Sequence, residues 1–462
     1  MSSKFDATPS APAPLSAPVT GERRNSTARS QALFERALQV MPGGSTRATI
    51  FFHPHPPYAA HGQGSRITDV DGNAIVDFTN NFFSAVHGHA NPQVVAAVTK
   101  AAARGISFGL PTEVEVDLAE HICRRSPAFE TIRFSNSGSE AVLSAIKAAR
   151  AFTGRPAVAK IEGAYHGSYD HVEVSLDSKP GDWGEAAPIG TKYARGTPDA
   201  VLGDTVVIPF NDAEAATRLL ETHGRRLAAL LFDPLPSRVG LVPASAEFVA
   251  AIREATARLG IVLIVDEIVC FRLSHGGACP LWNLDPDLVT LGKIIGGGLP
   301  IGAVTGKRAI MDMFDVRPGK AAVPHGGTFT ANPVTMAAGL ASLRQLDQAA
   351  YDHLNGLGDC FRRRVTDAIA ATGIPAQVTG MGSLFRIHPH QRPVRDYRTA
   401  YPTDSEKALL ARLHPWLVGQ GFLLTPNLSG ALSTPMTESE VDALAEALGE
   451  GFAWASSDRA AA

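Results

Sequence analysis

Leu288-Val289-Thr290-Leu291-Gly292-Lys293-Ile294-Ile295-Gly296-Gly297-Gly298-Leu299-Pro300 joins a short apolar run to a Gly-Lys step and three further glycines. The run reads as a buried strand, and the glycines as a loop that lets backbone pass close to a ligand. A lysine placed there loses solvent, which lowers its pKa and frees its amine as a nucleophile. The competing reading is a snorkelling lysine at the surface beside a turn.

Upstream, Gly260-Ile261-Val262-Leu263-Ile264-Val265-Asp266-Glu267 is an unbroken apolar run ending in two carboxylates. Such a run suits a parallel strand covered on both faces, and open α/β sheets bind ligands at the carboxyl ends of their strands, where Asp266 would lie. An ordinary strand-end acid paired with an arginine is the alternative. Phe134-Ser135-Asn136-Ser137-Gly138-Ser139-Glu140-Ala141 is a small-residue turn leading into a helical stretch that Gly154 would stop. Free N–H groups at a helix start hold a phosphate without a basic side chain. Ser-Gly-Ser alone is weak, because serine caps are common. A strand-end lysine, a strand-end aspartate and a phosphate cradle together are what a pyridoxal phosphate (PLP) enzyme requires.

The chain resembles class III PLP-dependent aminotransferases, in the branch holding glutamate-1-semialdehyde 2,1-aminomutase and the β-amino-acid aminotransferases. The motifs that carry the resemblance run from Met41-Pro42-Gly43-Gly44 to the C-terminal region. They include Gly88-His89-Ala90-Asn91-Pro92, Asn136-Ser137-Gly138-Ser139-Glu140-Ala141, Tyr165-His166-Gly167, Asp266-Glu267-Ile268, Leu291-Gly292-Lys293 and Gly327-Thr328-Phe329. The resemblance implies fold type I of the PLP-dependent transferases. That is an α/β fold with a mostly parallel central sheet covered by helices, and a smaller α+β domain built from both chain ends. It implies a cofactor site of Ser137, Gly138, Ser139, Tyr165, His166, Asp266, Ile268, Lys293 and Thr328, with Tyr165 and Ile268 on the two faces of the pyridine ring. Thr328 would reach the phosphate of a neighbouring subunit, which implies a homodimer with shared active sites. Lys293 and Asp266 would be the catalytic pair. Arg47, in Ser45-Thr46-Arg47, is similar to the arginine with which β-amino-acid aminotransferases grip the substrate carboxylate. The aminomutase carries its arginine a few residues later in a Pro-Val-Arg context absent here. The implied reaction takes the amino group of a carboxylate-bearing amino acid, a β-amino acid among the candidates, to a keto acid. An intramolecular aminomutase or a racemase would use the same Lys293 and Asp266.

Relatives carry Glu-Pro where this chain has Asp233-Pro234, and Asn or a small residue in place of Arg238. Arg238 is read either as a second carboxylate handle or, slightly preferred, as the partner of Asp233. Cys270, close behind Asp266, lines the pocket or fills an apolar gap, the latter preferred. His87 and His89 lack further ligands at metal spacing, and no metal site is expected.

At 462 residues, with 45% apolar and 19% charged, the chain can bury a large core in more than one domain. A net charge of −3 gives no basic footprint for nucleic acid. No apolar run reaches a membrane span of about 18 residues. Four scattered cysteines suit a reducing, cytoplasmic setting.

In order, residues 1–28, rich in Ala, Pro and Ser, read as a disordered tail. Residues 29–78 read as the N-terminal part of the small domain, 79–332 as the large PLP-binding domain and 333–462 as the remainder of the small one. A helix is expected over 30–40 with Leu33, Ala37 and Leu38 on one face. Residues 174–205 lack periodicity and read as a functional or mobile loop, and the resemblance to the aminomutase implies that it closes over the site as a lid. A helix over 349–371 is weakened by Gly356 and Gly358.

Overall fold

Unbroken apolar strands need cover on both faces, and the computed structural model, which describes residues 26–185 and 187–457, supplies it. Near the start of the chain, β1 (Ala59–Gln63), β2 (Arg66–Asp69) and β3 (Ala74–Asp77) form an antiparallel meander. Seven strands then make the large sheet: β4 (Thr131–Ser135), β5 (Ala157–Ile161), β6 (Thr205–Ile208), β7 (Leu227–Phe232), β8 (Val262–Asp266), β9 (Leu288–Gly292) and β10 (Gly302–Gly306). Their order is β4-β10-β9-β8-β7-β5-β6. Only β10 runs against its neighbours, and β7 to β10 are buried along their whole length.

The last part of the chain adds β11 (Gln377–Met381), β12 (Leu384–His388), β13 (Phe422–Leu423) and β14 (Ser429–Ala431). β11, β12 and β14 form a three-stranded sheet, whereas β13 joins β3 in parallel. The smaller domain is therefore tied together by strands from both ends of the chain. Among the described residues, no helix is long and apolar enough to cross a membrane.

Helix ends follow local chemistry. Ser137 caps the helix Gly138–Thr153 through the N–H of Glu140, and Gly154 closes it at φ 69°. Ser245 caps Ala246–Leu259 in the same way, and Gly260 ends it. Both glycines take the left-handed backbone a C-terminal turn needs.

Four expectations change. Residues 1–25 of the predicted tail lie outside the described residues, and Ala28 already begins a helix, Ala28–Leu38. Of the face expected on that helix, Ala37 is buried but Leu38 is 47% exposed. The glycines at 356 and 358 do not interrupt Gln348–Thr372, because a Cβ at Gly358 would stand 1.9 Å from the carbonyl oxygen of Gly382. Glycine there lets the helix lie against the β11–β12 turn. The segment 174–205 is not featureless: Val174 and Leu176 are buried, and Tyr397 Oη donates to Ser178 O at 2.9 Å.

Arg272 couples the two domains. It is fully buried and donates to Ser383 Oγ and Phe83 O, each at 3.0 Å, and to Leu432 O. Replacing it with methionine leaves three buried acceptors unsatisfied. We expect Arg272→Met to lose about 3 kcal/mol or more of stability, seen as a lower melting temperature by calorimetry; an unchanged melting temperature would show that water replaces the guanidinium.

Candidate active site

The strand order reverses between β5 and β7, since β6 lies outward from one and β8 outward from the other. Open sheets of this kind bind ligands in the crevice at that reversal, beyond the carboxyl ends of the strands. His166 follows β5, Asp233 follows β7, Asp266 ends β8 and Lys293 follows β9. All four expected or adjacent chemical groups therefore fall on one edge.

Asp266 is held from three sides. Its Oδ1 accepts from Ile268 N at 3.1 Å and from Thr290 Oγ1 at 2.9 Å, and its Oδ2 accepts from His166 Nδ1 at 2.7 Å. Thr290 is the register partner of Asp266 across β8 and β9. Burial lowers the His166 pKa against the pull of Asp266, so the neutral ring places its proton on Nδ1. His166 Nε2 is buried without a hydrogen-bond partner.

Burial also lowers the Lys293 amine, opposed by the charges of Asp266 and Asp233. Lys293 itself has a left-handed backbone, φ 50°, directly after Gly292. Burial, then the charge of Asp266, pushes Asp233 up to about 8. A second lysine, Lys160 on β5, is fully buried and donates to Ile161 O and Val174 O at 2.9 Å. Burial lowers it to about 7.

The expected small-residue turn leads into the helix Gly138–Thr153. Gly138 and Ser139 are the first helical residues, whose N–H groups have no intrahelical acceptor. Ser139 Oγ accepts from Ser168 N at 3.0 Å, which pins the His166 loop to the helix start. A Cβ on Gly138 would meet Ile268 Cδ1 at 2.7 Å, so Ile268 packs directly against the cradle. Gly302 on β10 passes so close that a Cβ would lie 1.9 Å from Ser137 O. Gly302 and Thr290 were not singled out in the sequence: Thr290 sits inside a run that reads only as strand, and the segment holding Gly302 carries no motif of its own.

Tyr165 stands at the same edge and is 47% exposed. Thr328 lies in an exposed turn, and the neighbouring Thr330 Oγ1 accepts from Asn136 Nδ2 at 3.5 Å, beside the cradle. Cys270 is buried in an apolar cluster with Leu235 and Leu273, as the filler reading expects. Arg238 does not pair with Asp233. It reaches Asp177 Oδ1 at 3.1 Å instead, while Asp233 turns inward and accepts from Leu235 N at 2.8 Å. The burial that keeps Asp233 from ionising removes its attraction for a cation.

Arg47 is separate from this group. Its Nη1 donates to Asn81 Oδ1 at 2.7 Å, and its guanidinium lies 5.7 Å from the centre of the Phe82 ring. Asn80, Asn81, Phe82 and Phe83 all have positive φ, between 46° and 73°, which makes one left-handed turn. Asparagine tolerates that conformation, but two phenylalanines in it carry strain. The turn and Arg47 line a cavity of about 770 Å³ that extends to Gly297 and Gly298. Lys293 is four residues from that wall in sequence but not part of it.

The sequence profile described as aminotransferase class-III matches residues 53–414. The glutamate-1-semialdehyde 2,1-aminomutase of Methanothermobacter thermautotrophicus is 37% identical over 91% of this chain and 99% of its own. Among solved structures, an omega-transaminase from Sphaerobacter thermophilus superposes with a TM-score of 0.91 at 49% identity, covering 92% of this chain and 98% of that one. A transaminase with PLP bound gives 0.87 at 41%, covering 94% and 99%. A β-phenylalanine aminotransferase from Variovorax paradoxus gives 0.83 at 33%, covering 93% and 95%. With a matching profile over most of its length and relatives of this identity, the chain belongs to the class III aminotransferases.

Proposed function

We propose that the protein is a PLP-dependent aminotransferase that takes the amino group of a carboxylate-bearing amino acid, β-amino acids included, and passes it to a keto acid. The observation that carries this reading is the convergence of the Lys293 amine with the Asp266–His166 pair on one sheet edge, beside a helix start suited to a phosphate. The residues fit PLP: Lys293 for its aldehyde, Asp266 for its ring nitrogen, Gly138 and Ser139 for its phosphate, and Ile268 and Tyr165 for its ring faces. Ser137 and Thr328 complete the phosphate shell in this reading, Thr328 from the second subunit of a cytoplasmic homodimer.

When bound, PLP supplies an electron sink for the carbon that bears the substrate nitrogen. Lys293, whose amine burial brings below the ordinary lysine range, can hold and return a proton at that carbon. Asp266 is fixed by three donors and needs no rearrangement to meet a cationic ring nitrogen. Arg47, steadied by Asn81 and Phe82, orients the substrate carboxylate.

An intramolecular aminomutase is the second reading, supported by the 37% identity to one such enzyme. The absence of a Pro-Val-Arg context around Arg47 speaks against it. One amino donor consumed with stoichiometric keto acid and an amine-loaded cofactor marks the aminotransferase; sustained turnover of a single substrate marks the mutase.

Two outcomes are expected. Loaded with PLP and reduced with borohydride, the wild-type chain should carry the covalent adduct on the peptide containing Lys293, and Lys293→Ala should carry none. An adduct on Lys160 in that variant would move the assignment to the second buried lysine. Arg47→Ala should raise KM for carboxylate substrates roughly 10- to 100-fold, the worth of a charged hydrogen-bonded contact, with PLP content unchanged; equal losses in both would remove Arg47 from the substrate.

A further inference from the structure

Among the described residues, non-glycine positions with positive φ stand singly, except at Asn80, Asn81, Phe82 and Phe83, where four follow one another. Each is strained, and a run of them persists only where its surroundings fix it.

The surroundings fix both ends. Asp77, 2% exposed, accepts through Oδ1 from Thr79 N at 2.9 Å, Thr79 Oγ1 at 2.6 Å and Asn80 N at 3.0 Å. Its Oδ2 meets His89 Nε2 at 2.9 Å. Asn80 Nδ2 donates to Ala431 O, on β14, at 2.5 Å, and Phe83 O accepts from the buried Arg272. Asn80 and Phe83 are buried, whereas Asn81 at the apex is exposed and Phe82 half-buried. Buried ends explain how the strain is held, not why it is there. Glycine at 81 and 82 would make the same turn without strain, so the two apex side chains answer to something beyond the turn.

They face the cavity of about 770 Å³, whose wall holds Arg47, Asn81 and Phe82 together with Ile50, Phe52 and Leu424. A guanidinium only donates, so the Asn81 atom that meets Arg47 Nη1 at 2.7 Å is Oδ1. The amide is planar, and fixing Oδ1 also fixes Nδ2 with its two hydrogens. Arg47 gives one N–H to that bond and has others left. An amide donor and a guanidinium donor, side by side on an apolar wall, match the two oxygens of a carboxylate carried by an apolar body.

We propose that Asn81 is a substrate-binding residue that shares the substrate carboxylate with Arg47, one oxygen each, and that the amino donor is an apolar amino acid. Asp77 is the positioning residue that keeps the turn left-handed and so aims the Asn81 amide. The proposal rests on the aminotransferase reading in taking this carboxylate to be that of the amino donor.

The test uses the holoenzyme and hexanoate, a carboxylate with an apolar body and no amino group, against the uncharged hexanamide, in calorimetric titration. Wild type should bind hexanoate more tightly, and equal affinities overturn the site. Asn81→Gly keeps the turn, since glycine accepts φ 48°, yet it should weaken hexanoate roughly 10- to 100-fold, the worth of one hydrogen bond to a charged group. KM for carboxylate amino acids should rise in step, with PLP content unchanged. Asp77→Ala should weaken hexanoate as well, and Asp77→Asn, which keeps one oxygen for the three donors, should restore it. In crystals with hexanoate, one carboxylate oxygen should lie within hydrogen-bond reach of Asn81 Nδ2. Hexanoate affinity unchanged in Asn81→Gly, or a carboxylate held by Arg47 with neither oxygen near that nitrogen, overturns the assignment whether or not Asp77→Ala folds. Loss of hexanoate in Arg47→Ala alone removes Asn81 and leaves Arg47 in its role. If Asn81→Gly loses hexanoate but no amine ever loads the cofactor, the aminotransferase reading falls and the carboxylate site stands.

Discussion

The register between β8 and β9 is the constraint on which the site depends. It sets Asp266 opposite Thr290, so that Thr290 Oγ1 can donate to the carboxylate, and it places Lys293 just past the end of the same pair. Side chains on a strand alternate between faces, so a slip of one residue would turn Asp266 to the other side of the sheet. Such a slip would also exchange the leucines and valines between the two cores that cover the sheet on its opposite faces. Packing of the core and placement of the acid are therefore one requirement, met by one set of hydrogen bonds.

A cluster of charge on a buried edge is costly unless each group is answered. Asp266 is answered by three donors, and His166 stays neutral because burial outweighs its attraction to that acid. Asp233 avoids the cost differently. Next to Asp266 it is pushed toward its protonated form, so the two carboxyls do not both carry charge near neutral pH. Lys160 and Lys293 are lowered from the cationic side by the same desolvation. The edge thus holds two amines that burial brings below the ordinary lysine range.

Much of this was legible in the chain. The unbroken apolar runs ending in Asp266 and before Lys293 read as buried strands, and Gly154 marked the end of its helix by known capping chemistry. Other features depend on contacts across long sequence distances and leave no local trace. Arg238 sits five residues from Asp233 but finds Asp177, 61 positions away. Gly358 looks like a helix breaker until the Gly382 carbonyl is seen beside it. The left-handed turn at Asn80–Phe83 has no glycine to announce it.

Arg272 and Arg47 are held in opposite ways. Arg47 lies at the surface, held by one asparagine oxygen and the face of a phenylalanine ring, on a turn whose backbone is strained. Relief of that strain is available to any movement of the turn, and such a movement would carry Arg47 with it.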